Sequence, residues 1–264
     1  MDFTTLITYG VIGFAGLLLL LLILCVVLII LLIRVTRLHS SLNSSTLPQP
    51  SKKEFPIYKY TAVIIEPRNH KALSFVFKNV QDNLPDWGIV LFHGNQNKSM
   101  VQSFNLARTT LVQVPLDNMT KKQYTEFMKS SFFFDNVPTE LFMVIQCDSM
   151  IIPRYKGLIN DFLKYDYVGG PVDDRVGDGG FSLRRKSKMM EVLKTSTPKR
   201  SLSEDIVFSS SVQLKKPSLN EAARFCLQSV WSPQSFGCHH PWKYFPLDQL
   251  FAEYPEIKEL HDLQ

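Results

Sequence analysis

The longest apolar run in the chain, from Val11 to Ile33, reads VIGFAGLLLLLLILCVVLIILLI without a charged side chain. It exceeds the ~20 residues that carry a helix across a hydrocarbon core, where a helix satisfies its own backbone polar groups. The pattern predicts one transmembrane helix inside a first segment, residues 1–38, with the bilayer as partner through residues 11–33. A cleaved signal peptide has an apolar stretch of only ~7 to 15 residues behind a basic start. Here Asp2 is the one charged side chain before the run, and Arg34, Arg37 and His39 follow it. Residues 39–56 are rich in Ser, Pro and Asn, have no apolar period, and predict a flexible stem.

From residue 57 to 264 the pattern changes to that of a globular domain. Tyr60–Ile65 (YTAVII), Gly88–Phe92 (GIVLF) and Leu141–Gln146 (LFMVIQ) are short runs of nearly unbroken apolar residues, as expected of strands buried on both faces. Between the first two, Leu73, Val76, Phe77 and Val80 recur at helical spacing within His70–Asn83. Thr110–Val114 fits a further strand, and Thr120 fits the cap of a helix running to Ser130. Arg154–Leu163 reads as a helix and Tyr167–Gly170 as a strand entering a turn. Val172–Gly180 is polar and glycine-rich, in the manner of a loop that approaches a ligand. Helices are expected again over Lys186–Lys194 and from Ser203. Strand, helix, strand in repetition predicts an α/β domain with a mixed, mainly parallel sheet flanked by helices.

Composition changes this picture little. The near-zero mean hydropathy averages a very apolar segment with an ordinary soluble domain. A net charge of +5 arises partly beside the span and points to anionic headgroups as readily as to nucleic acid, which is not expected as a partner. Four cysteines without paired spacing imply neither a zinc module nor a disulfide framework. Basic residues after the span favour a cytosolic domain. Three sequons, Asn43-Ser44-Ser45, Asn97-Lys98-Ser99 and Asn118-Met119-Thr120, favour a lumenal one, so the side stays open.

Ligands of open α/β sheets bind outside the carboxyl ends of the strands. Those ends carry Glu66 and Arg68, His93 and Asn95, and Asp148, each directly after an apolar run. Any one of them could be an ordinary turn residue, but a carboxylate such as Asp148 after a buried strand is placed to hold a divalent cation. In Asp178-Gly179-Gly180-Phe181-Ser182-Leu183-Arg184-Arg185, paired glycines permit close backbone approach and the basic run could meet phosphate. Glu204-Asp205 at a helix start offers a general base, or only a carboxylate pair suited to the helix dipole. His239-His240 offers an imidazole to a metal or diphosphate, or polar surface.

The order of these features resembles the GT-A glycosyltransferases, with a DxD motif, a glycine-rich loop, an xED motif and a C-terminal histidine. More narrowly, TAVIIEPRNHKALSFVFKN, LFHGN, QCDSMI, FLKYDYVGGP, GDGGFSLRRKSKM, SEDIVFS and GCHHPW are similar to signature stretches of a little-characterised family of glycosyltransferase-like domains of unknown function. The resemblance runs from about Tyr60 to Trp242. It implies a single GT-A-like (Rossmann-like) domain over residues 57–264.

It further implies a transferase moving a sugar from a nucleotide-sugar co-substrate, a UDP-sugar, to a hydroxyl of a glycan, protein or lipid acceptor with inversion, at an endomembrane of the ER or Golgi type. Mn²⁺ or Mg²⁺ would be its cofactor, with Asp148 and His239 as metal ligands and His240 as the alternative histidine. Asp205 would match the base and Glu204 a residue beside it that binds the acceptor. Gly179, Gly180 and Ser182 would shape the donor and acceptor pocket, with Glu66, Arg68, His93, Asn95 and Asp148 around the nucleotide. Gln146 stands where the motif has its first acid, which leaves a second reading: a membrane protein that binds nucleotide sugars or glycans without turnover.

Overall fold

The computed structural model describes residues 28–34, 58–172, 174–195 and 202–264. The chain divides into two units, Met1–Gln49 and Pro50–Gln264. In the first, residues 28–34 are helical and Leu28 through Ile33 are about half exposed. The rest of the expected span at 11–33, and the stem at 39–56, lie outside the described residues. Among the described residues no helix is long and apolar enough to cross a membrane.

The second unit is built on a six-stranded sheet in the order β3-β2-β1-β4-β9-β6. Its strands are β1 (Tyr60–Ile65), β2 (Gly88–His93), β3 (Thr109–Gln113), β4 (Leu141–Ile145), β6 (Tyr167–Gly169) and β9 (Phe181–Arg185). β1, β2, β3 and β4 run parallel, while β9 lies antiparallel to both β4 and β6. Every residue of β2 and β4 is buried, as the unbroken apolar runs require. Chain order reverses across the β1–β4 pair, so a crevice opens where those two strands end.

A second sheet supplies what the first cannot reach. β5 (Ser149–Ile151) pairs antiparallel with β11 (Gly237–His239), and β11 pairs parallel with β10 (Cys226–Leu227). The register sets His239 opposite Ser149, which delivers the C-terminal histidines to the residue next to Asp148. Helix Leu73–Asn83 fixes β5 in turn. It buries Leu73, Val76, Phe77 and Val80, and the Asn79 amide accepts from Ile151 N at 2.8 Å and donates to Ile151 O at 2.9 Å. A two-stranded ribbon, β7 (Pro171–Val172) and β8 (Arg175–Val176), borders the glycine-rich turn.

Three expectations need correction. Phe181–Arg185, which the sequence presents as a basic run after a loop, is an internal strand of the sheet with Phe181 to Arg184 buried. Arg154–Leu163 is not one α-helix but a 3₁₀ segment, Pro153–Leu158, followed by a short α-turn, Ile159–Phe162, and Gly157 weakens helix there. The helix after Thr120 ends at Met128, and a second one starts at Ser131. Its start is capped as expected: Thr120 accepts from Gln123 N at 3.2 Å, and Gln123 Oε1 accepts from Thr120 N at 2.9 Å.

Candidate functional site

Two adjoining cavities sit at the strand ends and share Tyr124 and Gln146 in their walls. The first, of about 330 Å³, is bounded by the ends of β1 and β4, with Glu66, Arg68, Asn118, Cys147 and Asp148 among its walls. The second, of about 260 Å³, is bounded by Lys121, Asp178, Gly179, Gly180, Glu204, Asp205 and His239 among others. Each is near the size range of small-ligand sites.

In the first cavity charge is paired. Glu66 is buried, and its two oxygens accept from Arg68 Nε at 2.8 Å and Arg68 Nη2 at 2.7 Å in a forked pair. The turn carrying that pair is tied down by Asn97, fully buried, whose Nδ2 donates to Glu66 O at 2.7 Å and Arg68 O at 2.9 Å. Asn97 Oδ1 also accepts from Gly94 N at 2.9 Å. The sequon at Asn97 thus uses its amide inside the fold. His93 and Asn95 do not line either cavity. The ring Nδ1 of buried His93 lies 2.8 Å from Gly94 O, and exposed Asn95 accepts from Gln113 Nε2 at 2.5 Å.

Asp148 on the wall of the first cavity, His239 on the wall of the second, and neighbouring His240 have candidate ligand atoms within 4.8 Å of one another. Asp148 Oδ1 is 3.1 Å from His239 Nε2, and Asp148 Oδ2 is 3.1 Å from His240 Nδ1. His240 holds a left-handed backbone at φ 35°, which a non-glycine residue adopts only under constraint. On the far side of the His239 ring, Nδ1 is 2.7 Å from Asp178 Oδ1. Both carboxylates approach the buried ring obliquely, at charge-contact distance but without an in-line hydrogen bond to either nitrogen. Burial alone would lower the His239 pKa, but Asp178 and Asp148 outweigh it and raise it to about 10. Burial would raise both carboxyls, yet His239 and His240 hold Asp148, and His239, Gln228 and the Gly180 amide hold Asp178, well below the ordinary carboxylate range. A carboxylate oxygen and two imidazoles whose ligand atoms lie within 4.8 Å of one another fit a divalent cation.

The paired glycines make room for side chains. A Cβ on Gly180 would meet His239 Cε1 and Nε2 at 2.4 Å, and one on Gly179 would meet Glu204 Oε1 at 2.7 Å. The basic run is engaged within the fold. Arg184 is 1% exposed, stacked 5.5 Å from the rings of both Tyr167 and Phe208. It donates to Gly179 O at 3.2 Å, Ser182 Oγ at 2.9 Å and Glu204 Oε1 at 3.3 Å. Arg185 pairs instead with Asp166 at 3.0 Å. Ser182 is fully buried, and its hydroxyl donates to Gly179 O at 3.0 Å, so it supports the loop from behind. Burial pushes the Glu204 carboxyl up while Arg184 opposes it. Its neighbour Asp205 differs: Asp205 Oδ1 is buried with no hydrogen-bond partner, on the wall of the second cavity.

Sequence reasoning missed Asp178 as a site residue, along with Tyr124, whose hydroxyl is buried without a partner between the cavities. A glycine pair directly after an acid was the one available signal for Asp178. No sequence signal marks Tyr124 beyond its place on a capped helix.

Among solved structures, the fold is similar to the glycosyltransferase GlyE of Streptococcus pneumoniae TIGR4, at 12% identity and a TM-score of 0.48 over 76% of this chain. This chain spans 62% of that one, less than two thirds of its length. It is also similar to the galactosyltransferase LgtC in complex with donor and acceptor sugar analogs, at 10% identity and a TM-score of 0.46 over 76% of this chain and 94% of that one. The 4-diphosphocytidyl-2C-methyl-D-erythritol synthase of Anaerococcus prevotii DSM 20548 aligns at 13% identity and 0.39, over 57% and 83%. No curated protein matches the chain. Asp148, Asp178, Glu204, Asp205 and His239 all fall within residues 108–239, 132 of 264, which match the model described as Protein of unknown function (DUF5672), and the chain belongs to that family.

Proposed function

We propose that the chain is a membrane-tethered glycosyltransferase that moves a sugar from a UDP-sugar to a hydroxyl of a glycan, protein or lipid, with inversion. One observation carries the reading: Asp205, whose Oδ1 is buried without a hydrogen-bond partner, lines a cavity that adjoins the Asp148, His239 and His240 cluster. A buried carboxylate oxygen without a donor is costly unless a ligand supplies one. An acceptor hydroxyl is such a donor, and Asp205 would take its proton as the oxygen attacks the anomeric carbon. In the first cavity the Glu66–Arg68 fork presents a pre-oriented guanidinium to the nucleotide. Asp148, His239 and His240 would hold Mn²⁺ or Mg²⁺, which when bound offsets charge on a diphosphate leaving group. Glu204, buried and paired with Arg184, lines the same cavity and would bind the acceptor beside Asp205.

The run at 11–33 would place the domain at an endomembrane surface, with the basic flank Arg34 and Arg37 favouring its cytosolic side. The three hydrogen bonds of Asn97 support that side, because a glycan on this amide is incompatible with them. Protease added to intact vesicles should digest the domain; a protected, glycosidase-sensitive domain would reverse the orientation.

The activity is tested by incubating the full chain in detergent with a panel of nucleotide sugars, with Mn²⁺ or with chelator. Release of UDP from one donor, dependent on the cation, is expected. Neutral Gln146 at the first-acid position favours the second reading, a binding protein, which gains if UDP binds and is never released from any UDP-sugar. A chain that binds no nucleotide contradicts both.

A further inference from the structure

We infer that Asp178 is a positioning residue for the cation site: it holds the His239 ring so that Nε2 faces Asp148. This rests on the reading of Asp148, His239 and His240 as a cation site. The ring spans two carboxylates, with Nδ1 2.7 Å from Asp178 Oδ1 and Nε2 3.1 Å from Asp148 Oδ1. A histidine that ligates through one nitrogen is commonly fixed by a carboxylate at the other, which sets ring orientation and raises ligand basicity.

Asp178 is itself held from two sides. Its Oδ1 accepts from Gly180 N at 2.6 Å, and its Oδ2 accepts from Gln228 Nε2 at 2.7 Å. Gln228 is 1% exposed and lies against Gly170, where a Cβ would come within 2.2 Å of its Oε1. Three separate stretches therefore converge on one carboxylate: the turn before β9, the residue after β10, and the end of β11. The Gly180 amide shapes the turn but engages only one oxygen of the carboxylate. The buried glutamine and the imidazole on its remaining faces are what point to the histidine.

The test titrates Mn²⁺ into the metal-free full chain, well below its melting temperature, and reads free Mn²⁺ by its electron spin resonance. Asp178→Ala should weaken Mn²⁺ binding by ~10- to 100-fold, Asp178→Asn by less, and Gln228→Ala least but in the same direction. A merely structural role would lower the melting temperature in chelator and leave the Mn²⁺ affinity of the folded protein unchanged, which would overturn the inference. If Asp178→Ala does not fold, Asp178→Asn and Gln228→Ala decide by the same criterion. A wild-type chain that binds no Mn²⁺ overturns the cation site and this inference with it. One that binds Mn²⁺, loses it in these variants and turns over no nucleotide sugar sinks the transferase reading alone.

Discussion

The two cavities share a wall but handle charge in opposite ways. In the first, Glu66 is neutralised by its forked pair with Arg68, and the pair is braced by Asn97. In the second, Asp178, Glu204 and Asp205 stand in one wall, with Lys121 at its edge and Arg184 committed from behind to Glu204. A compensated surface suits orienting a ligand, whereas a carboxylate oxygen of the second wall left without a donor, Asp205 Oδ1, suits taking a proton. On the proposed function, the difference would give binding to the cavity at the ends of β1 and β4 and chemistry to the cavity beside Asp205.

The strongest way to break that division is Gly180→Ala, which thrusts a methyl group into the His239 ring at the boundary between the cavities. Overpacking of this kind costs about 1 to 3 kcal/mol. The ring must also move, so both Mn²⁺ affinity and transfer should collapse while UDP binding in chelator is retained. Calorimetric titration with UDP, beside the spin-resonance assay for Mn²⁺, checks this; an unchanged Mn²⁺ affinity would mean that His239 takes no part.

Next in size, Asp205→Asn preserves shape but cannot accept a proton, so transfer should fall by ~100-fold or more with donor binding intact. Helix-start stabilisation by a carboxylate is worth only ~0.3 to 1 kcal/mol, too little to mimic that result through folding. Transfer at close to the wild-type rate would remove Asp205 from the mechanism.

A smaller effect separates the cavities by pH in the metal-free protein. His239 is raised to about 10 from an ordinary value of about 6.5, so the stability it contributes is complete below about pH 6.5 and lost as pH climbs through 10. Asp148 and Asp178 are depressed, and their contribution is present above about pH 4 and lost in acid. The melting temperature in chelator should therefore decline between pH 6.5 and 10, and Asp178→Asn should flatten that decline. An equal slope in both proteins would contradict the charge contact.

These regions also differed in how far the chain alone disclosed them. β1, β2 and β4 were legible because burial on both faces leaves uninterrupted apolar runs, and Asp148 was legible because it ends one of them. β9 was not, since Arg184 is a residue type ordinarily read as surface, and only the Tyr167 and Phe208 rings with Glu204 make its burial tolerable. Gly179 and Gly180 were recognised as necessary for close approach; they line the second cavity, and Glu204 and His239 pack against them. The choice between His239 and His240 could not be made from neighbouring positions, and both prove to touch Asp148, through different nitrogens. Asp178 escaped because its partner lies on another strand, brought near by the β5–β11 register.

The central claim is that a cation at Asp148 links the two cavities, and nucleotide affinity of Asp148→Asn, measured by titration calorimetry with Mn²⁺ and with chelator, tests it most directly. The account predicts weakened UDP binding in Mn²⁺ and little change in chelator, because the carboxylate acts through the ion. Equal loss of affinity under both conditions would contradict it.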